Sequence, residues 1–273
     1  MKIAFFASLY YFWGVNYFDT MKIFFRTLAL SVLIVCALAC GNKKEIVSIE
    51  GGNVKVAAQF SEGKAAKVRA ILERGRLAVD SIRKPVIGSA AHALDKYIPE
   101  SPLMNFAADA LLTTAREHTG QRVDIAITNK GGLRSNIAEG EITFGDVYNV
   151  FPFENTLALL TLNGEQLLQL CVEIASVGGE AISGLELVIT KDGELLSASV
   201  AGKPVDKAGS YRIATSDYLA QGNDKMTALA LGTEREIRNE ITIRDLMLQY
   251  IKSLAKVGKA VSAECDGRIT IKE

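Results

Sequence analysis

A polar loop from Asn129 to Arg134 carries side chains that could bind an anionic ligand. It follows an alternating apolar segment, so a predicted strand delivers it. Gly131 and Gly132 let the backbone approach a bound molecule closely, and the Arg134 guanidinium can hold an anion through paired donors. The same residues would also suit a tight turn that ends in a solvated arginine. This loop alone slightly favours that simpler interpretation.

Two further loops combine aromatic with polar side chains. The segment from Phe151 to Asn155 sets aromatic rings beside a proline, a pattern that by itself more often belongs to a core. The other loop holds Tyr218 and Asp224 around Gly222 and is too polar to be core. An aromatic ring near a carboxylate could bind a base and the hydroxyls of its ribose, but one such loop alone is weak evidence.

Patterns of common catalytic sites are missing from the sequence. It has no Gly-x-Ser-x-Gly turn, P-loop, Gly-x-Gly-x-x-Gly or His-Glu-x-x-His motif. A two-metal hydrolase needs a cluster of ligands, whereas the only histidines are His92 and His118, both expected on helices as surface or capping residues. Cys171 fits an apolar core pattern, and neither it nor Cys265 is a good nucleophile. The sequence therefore predicts no catalytic residue and no metal ligand.

Length and charge limit the class of protein. The chain of 273 residues is long enough for one large domain or two small ones, with an ordinary hydrophobic core. Its 31 Lys and Arg residues balance 31 Asp and Glu residues, so the sequence disfavours a nucleic-acid partner. The hydrophobic fraction of 49% is high because the N-terminal segment is strongly apolar.

That N-terminal segment has the pattern of a secretory signal that ends at a lipidated cysteine. From Met21, a basic start precedes an apolar run and then Cys40. The run of roughly 12 apolar residues is short for a membrane span, which needs about 20. We expect residues 1–39 to be a signal peptide, of which 1–20 could be an over-long start, and residues 40–53 to be a lipid anchor and tether. The chain would then be a membrane-anchored lipoprotein on the periplasmic or cell-surface face of a bacterial envelope.

The remaining sequence predicts helices and strands in irregular order. Helical spacing occurs over 62–79, 103–115, 165–175 and 243–256, and strand patterns occur over 45–49, 54–57, 123–128, 156–162, 185–190, 195–200, 211–215 and 268–271. A capping box from Thr143 to Asp146 predicts a further short helix. Because hairpins mix with helices without strict alternation, the pattern indicates an α+β fold.

Together, the loops resemble the C-terminal domain of the 5′-nucleotidase family of periplasmic and surface nucleotide hydrolases. The resembling segments are 100–110, 129–135, 140–155, 162–167 and 211–224. The resemblance implies a single domain over 54–273, with mixed sheets and flanking helices. It also implies a part in nucleotide catabolism. In that family this domain binds the nucleotide, and a separate metallophosphoesterase domain holds two metal ions and performs the hydrolysis.

The resemblance also implies roles for individual side chains. Phe153 and Tyr218 would sandwich the base, and Asn129 would hydrogen-bond its edge. Asp224 would bind the ribose and Arg134 the phosphate. The substrate-binding set implied in this way is Asn129, Gly131, Gly132, Arg134, Phe153, Tyr218 and Asp224.

Two functions are compatible with this resemblance. The first is the nucleotide- or nucleoside-binding half of a split 5′-nucleotidase, which would provide substrate recognition to a separate metallophosphoesterase chain. The second is a surface lipoprotein that binds nucleotides or nucleosides without catalysis. In both cases we expect no metal site in this chain. In the first, the divalent metal ions would belong to the partner.

Overall fold

The computed structural model describes residues 21–31 and 65–273. The chain divides into two compact units, residues 1–62 and residues 63–273. Within the first unit, residues 21–31 form a helix whose side chains are exposed. Among the described residues, no helix has both the length and the apolar character needed to cross a membrane.

Several sequence predictions concern residues outside these described ranges. They include the lipidated Cys40, the tether at 40–53 and the strands predicted at 45–49 and 54–57. Of the predicted signal peptide, only residues 21–31 are described. These predictions therefore stay predictions.

Residues 65–273 contain helices and strands in mixed order. The helices are α1 (Ala65–Arg83), α2 (Pro102–Thr119), α3 (Phe144–Val150), α4 (Gly164–Ser176), α5 (Asp217–Ala220), α6 (Thr227–Ala230) and α7 (Ile243–Lys256). The strands are β1 (Val86–Ala90), β2 (Ile125–Thr128), β3 (Gly140–Thr143), β4 (Thr156–Asn163), β5 (Ala181–Ser183), β6 (Leu185–Thr190), β7 (Leu195–Val200), β8 (Lys203–Pro204), β9 (Ser210–Ser216), β10 (Thr233–Thr242) and β11 (Ile269–Lys272). Short 3₁₀ turns lie at Lys130–Gly132 and Asn223–Lys225.

The strands form three sheets. A five-stranded sheet has the order β10-β4-β9-β2-β5, in which only β2 and β9 are parallel. A four-stranded sheet has the order β11-β6-β7-β8, with β11 parallel to β6, and β1 pairs with β3. The strands predicted over 185–190 and 195–200 are confirmed as β6 and β7, which pair as an antiparallel hairpin.

The five-stranded sheet lies between two hydrophobic clusters. All four residues of β2 are buried. Ala126 belongs to a cluster with residues of α2 and α7, whereas Ile125 and Ile127 belong to a second cluster with residues of α4 and β6. Both faces of the sheet are covered. A ligand can therefore reach β2 and β9 only through the loops at the ends of these strands.

Capping boxes fix where three helices begin. In each box, the side chain of the residue before the helix accepts the backbone N–H three positions later, and that later side chain accepts the first residue's N–H. The pairs are Thr143 with Asp146, Asn163 with Gln166, and Thr242 with Asp245. The short helix predicted from Thr143 is thereby confirmed as α3, and the helix predicted over 243–256 is confirmed as α7.

The prediction that His92 lies on a helix is wrong. His92 lies in a bend after β1, and its Nε2 is 3.2 Å from Ser262 Oγ. The helix begins only at Pro102, where Ser101 Oγ accepts the Met104 N–H. His118 is in the last turn of α2, as expected. Cys171 is buried in the second cluster, also as expected.

Candidate functional site

Three loops meet at one end of the five-stranded sheet, where β2 and β9 reach their carboxyl ends. β2 and β9 are parallel neighbours, so their carboxyl ends lie side by side and deliver Asn129 and Tyr218 to the same end of the sheet. β4 runs antiparallel to β9, with Leu157 opposite Ser216. The Phe151–Asn155 loop that precedes β4 therefore reaches this end as well. The sheet topology thus brings together three loops that are far apart in sequence.

The three loops enclose an open cleft of about 350 Å³. Its lining residues are Asn129, Gly131, Arg134, Phe153, Asn155, Tyr218 and Asp224. Six of the seven residues implied by the resemblance therefore line one cleft. The seventh, Gly132, lines a smaller adjoining space beside Thr128 and Leu133.

Phe151 and Phe153 have different environments. Phe151 is 6% exposed and belongs to the hydrophobic core, whereas Phe153 is 48% exposed and lines the cleft. The interpretation of this segment as core is therefore right for Phe151 and wrong for Phe153. The exposed ring leaves an aromatic face available to a ligand.

Two loops orient the Asp224 carboxylate. Asn129 Nδ2 donates to Asp224 Oδ2 at 2.6 Å, and the Tyr218 hydroxyl donates to Asp224 Oδ1 at 2.8 Å. The bond to Asp224 raises the pKa of the Tyr218 phenol above its ordinary value. Each carboxylate oxygen has a further lone pair. The carboxylate can therefore accept hydrogen bonds from ligand hydroxyls while its orientation stays fixed.

The Asn129 side chain is largely occupied by protein contacts. It is buried, and its amide donates to Asp224. A Cβ on Gly132 would lie 2.8 Å from Asn129 Oδ1, so a larger residue at position 132 would displace this side chain. These contacts make Asn129 a positioning residue for the carboxylate, and its implied contact with a base edge stays a prediction.

Asn155 also faces the cleft, although sequence analysis gave it no role. Among the described residues, no hydrogen bond engages its side-chain amide, and its backbone carbonyl accepts the Ile243 N–H at 2.8 Å. That backbone bond ties the loop to the start of α7. The amide is therefore available to a polar ligand edge. The sequence gave one indication of a role in the cleft, namely that Asn155 lies two residues after Phe153.

Buried contacts with residues 177–180 hold the 129–134 loop in place, and no local sequence pattern indicates these contacts. The buried Glu180 accepts the Lys130 N–H at 2.5 Å. Lys130 Nζ donates to the carbonyls of Val177 and Gly179, both at 2.7 Å. Burial raises the pKa of the Glu180 carboxyl above its ordinary value, against the opposing effect of Lys130. No motif marked Glu180, because its role depends on a loop about 50 residues away in the chain.

Arg134 lies beside the exposed ring of Phe153. Its guanidinium carbon is 5.9 Å from the ring centroid, and Nη1 donates to the Gly131 carbonyl at 3.2 Å. It has no carboxylate partner among residues 21–31 and 65–273. The guanidinium can therefore pair with an anion that enters the cleft.

The described residues offer no cluster for a metal ion. Nowhere in the described part of the chain do three or more His, Cys, Asp or Glu side chains come together in a way that could hold a metal ion. In the cleft itself, Asp224 is the single carboxylate, and it is hydrogen-bonded to Asn129 and Tyr218. The cleft thus combines two aromatic rings with one carboxylate and one guanidinium.

Comparison with known proteins identifies the family of this chain. The family model for the C-terminal domain of 5′-nucleotidase matches residues 84–231, which include all three loops. The chain belongs to this family. The resemblance inferred from the sequence is confirmed, and the 5′-nucleotidase C-terminal domain is a nucleotide-binding module.

Individual relatives of this 5′-nucleotidase C-terminal domain are much longer proteins. The trifunctional nucleotide phosphoesterase YfkN of Bacillus subtilis is 31% identical over 218 residues, which cover 72% of this chain and 14% of that protein. A probable 5′-nucleotidase of Treponema pallidum is 31% identical over 200 residues, or 63% of this chain and 32% of that protein. The chain thus spans less than a third of either curated relative.

A solved structure supports the same fold. The crystal structure of a 5′-nucleotidase precursor from Thermus thermophilus superimposes with a TM-score of 0.66 and 27% sequence identity. The match covers 75% of this chain and 43% of that one. The predicted α+β architecture of mixed sheets and flanking helices is therefore confirmed.

Proposed function

We propose that the cleft binds a nucleotide or nucleoside and that this domain supplies substrate recognition for hydrolysis of the phosphate ester. The observation that carries this proposal is the placement of two exposed aromatic rings, Phe153 and Tyr218, around the oriented Asp224 carboxylate and the unpaired Arg134 guanidinium. A cleft of about 350 Å³ lies within the usual size range of small-molecule sites.

Each part of a nucleotide has a suitable contact in this cleft. Aromatic faces hold a base by stacking. The Asp224 carboxylate accepts hydrogen bonds from the ribose hydroxyls, and the Arg134 guanidinium pairs with the phosphate. The Asn155 amide offers both a donor and an acceptor to the base edge.

We place the hydrolytic step on a separate metallophosphoesterase chain. The described residues do not fit a two-metal site, so no step of hydrolysis is assigned to them. The divalent metal ions would belong to the partner chain, and the complex would serve nucleotide catabolism as a split 5′-nucleotidase. We also propose that lipidation of Cys40 holds the chain at a membrane of the bacterial envelope.

Calorimetric titration of the purified chain with AMP and adenosine tests the binding role. We expect both ligands to bind, and AMP more tightly than adenosine. Absence of binding by either ligand contradicts the proposal. Mass spectrometry of the mature protein tests the anchor, since we expect an acylated Cys40 at its N-terminus and a soluble or unprocessed product from Cys40→Ser.

Purification of the protein from its native membrane tests the partnership. The eluate is assayed for AMP hydrolysis with and without a chelator. We expect chelator-sensitive hydrolysis in the eluate and none by the recombinant chain alone. Nucleotide binding without any associated hydrolase would instead support the non-catalytic binding lipoprotein.

A further inference from the structure

A buried arginine contacts the loop that carries Phe153. Arg244 is the second residue of α7, and it is 8% exposed. Its Nη1 donates to the Phe151 carbonyl at 3.1 Å, and its Nη2 donates to the Glu154 carboxylate. These two partners precede and follow Phe153 in the chain. One guanidinium therefore holds the loop on both sides of an aromatic ring that lines the cleft.

Further contacts fix the guanidinium and the same loop. The guanidinium carbon of Arg244 lies 4.5 Å from the centroid of the Tyr148 ring, which belongs to α3. This distance is within the range of a cation–π interaction. The preceding residue, Ile243, donates its N–H to the Asn155 carbonyl at 2.8 Å. The first two residues of α7 thus hold the loop at three places.

The ion pair of Arg244 with Glu154 gives little stability by itself. The Glu154 side chain is 69% exposed, and ion pairs with solvent-exposed partners contribute little to the free energy of unfolding. Burial of an arginine also costs desolvation free energy. Stability alone is therefore a weak reason for an arginine at this position, and its contacts point to control of the loop conformation.

Phe153 depends on such control more than Phe151 does. The Phe151 side chain packs in the hydrophobic core. Phe153 is half-exposed, so packing restrains its ring less, and the conformation of the loop backbone decides where the ring lies. A binding group that is already in place loses less conformational entropy when the ligand arrives. Fixing the loop on both sides of Phe153 therefore favours stacking of a ligand base.

We propose that Arg244 is a positioning residue for base stacking and that it acts through Phe153. Of the described residues, those that line the cleft include Phe153 but not Arg244. Arg244 sets the position of the ring through the Phe151 carbonyl and the Glu154 carboxylate. This inference rests on the proposed nucleotide binding and adds a residue that determines its affinity.

Arg244→Met tests this role, because methionine keeps an apolar side chain at this position and removes both donors. Arg244→Lys keeps the positive charge, but an ammonium cannot reproduce the paired geometry of the guanidinium. Calorimetric titration with AMP and thermal melting are measured for each purified full-length variant. We expect Arg244→Met to weaken AMP binding about fivefold, a size typical of coupled neighbours, and Arg244→Lys to recover part of this loss.

Arg212→Met is the matched control. The Arg212 side chain is 12% exposed and pairs with Glu236 at 2.5 Å. It also donates to the Glu234 carbonyl at 2.6 Å, and it lies toward the end of β9 away from Tyr218. This variant should keep AMP affinity within twofold of wild type even where it lowers the melting temperature.

A double-mutant cycle with Phe153→Ala separates positioning of the ring from a general effect on the fold. If Arg244 acts through Phe153, Arg244→Met weakens AMP binding less than twofold once the ring is removed. An equal loss with and without the ring overturns the inference. Unchanged AMP affinity in Arg244→Met overturns it as well.

Glu154→Ala keeps the inference testable if Arg244→Met does not fold. Because the Glu154 side chain is exposed, its removal should leave the fold intact. We expect Glu154→Ala to weaken AMP binding about threefold in wild type and not in Phe153→Ala, and an equal result in both backgrounds overturns the inference. Wild type that binds neither AMP nor adenosine overturns the proposed function and this inference with it. Wild type that binds both, with unchanged affinity in the Arg244 and Glu154 variants, overturns the inference alone.

Discussion

Asn129 Nδ2 donates a 2.6 Å hydrogen bond to Asp224 Oδ2, although the two residues are 95 positions apart in the chain. The Tyr218 hydroxyl binds the other carboxylate oxygen at 2.8 Å. Asp224 therefore has one orientation before any ligand arrives. A ligand that uses this carboxylate loses less conformational entropy on binding than it would with a mobile side chain.

Tyr218→Phe tests whether this orientation matters for binding. The ring face is kept and the hydroxyl that positions Asp224 is lost. We expect adenosine to bind more weakly by about 0.5–1.5 kcal/mol, the usual net contribution of one hydrogen bond. Titration with 2′,3′-dideoxyadenosine is the control, because this ligand lacks the hydroxyls that Asp224 would bind. An equal loss for both ligands would contradict a ribose role for Asp224.

Phe153→Ala tests stacking of the base, with Phe151→Ala as a matched control. We expect Phe153→Ala to cost about 1–3 kcal/mol of adenosine binding, as truncation of a stacking aromatic does. Its effect on the melting temperature should be small, because Phe153 is half-exposed. Phe151→Ala should instead lower the free energy of unfolding by about 3–5 kcal/mol, as loss of a buried phenylalanine does. Adenosine affinity unchanged in Phe153→Ala would remove the stacking role.

The site residues were implied by the resemblance of the loops taken together, since each loop alone favoured a simpler interpretation or was weak evidence. Asn129, Phe153 and Tyr218 come from three separate loops, and the sheet topology brings them into one cleft. Strand β10 was missed because it is an edge strand whose residues are largely charged and exposed, so no apolar alternation marks it. Short strands such as β1 and β5 were also missed, since their pairing depends on distant partners.

Contacts between distant segments could not be predicted from local patterns. Glu180 holds the 129–134 loop through the backbone of Lys130, and nothing in the sequence near position 180 indicates this. The exposure of apolar side chains on α1, such as Leu72 and Val79, is similar, because an apolar helical face predicts burial and the described residues do not cover these side chains.

Glu180→Gln tests the effect of the buried carboxyl on stability. Because burial raises the pKa of Glu180, the folded protein keeps this proton to higher pH than the unfolded chain does. Stability from this group is therefore present below pH 4.5 and is lost as the pH rises through its raised value. Glutamine does not titrate, so we expect the stability of wild type relative to Glu180→Gln to fall over the pH range above 4.5.

Urea denaturation of both proteins across this pH range measures the difference. Glu194→Gln, at an exposed position in the β6–β7 hairpin, is the control and should show no comparable divergence. If wild type instead gains stability relative to Glu180→Gln as the pH rises, attraction to Lys130 outweighs burial at this site.

Arg134→Ala tests recognition of the phosphate. The guanidinium has no carboxylate partner among the described residues, so a ligand phosphate would be its main ionic contact. We expect AMP binding to weaken by about 1.5–3 kcal/mol, as for loss of a charged hydrogen bond. Adenosine should lose less than about 1 kcal/mol, through the contact of Arg134 with Phe153.

Calorimetric titrations with AMP and adenosine, repeated at several salt concentrations, separate these contributions. Arg134→Lys should recover part of the AMP affinity, because a charge remains but the paired donors are lost. Arg122→Ala removes an exposed arginine that precedes β2, at the end of the strand away from Asn129, and should leave both affinities unchanged. Screening by salt should weaken AMP binding more in wild type than in Arg134→Ala. Equal losses of AMP and adenosine in Arg134→Ala would place the phosphate elsewhere, because only AMP carries the anion with which the guanidinium would pair.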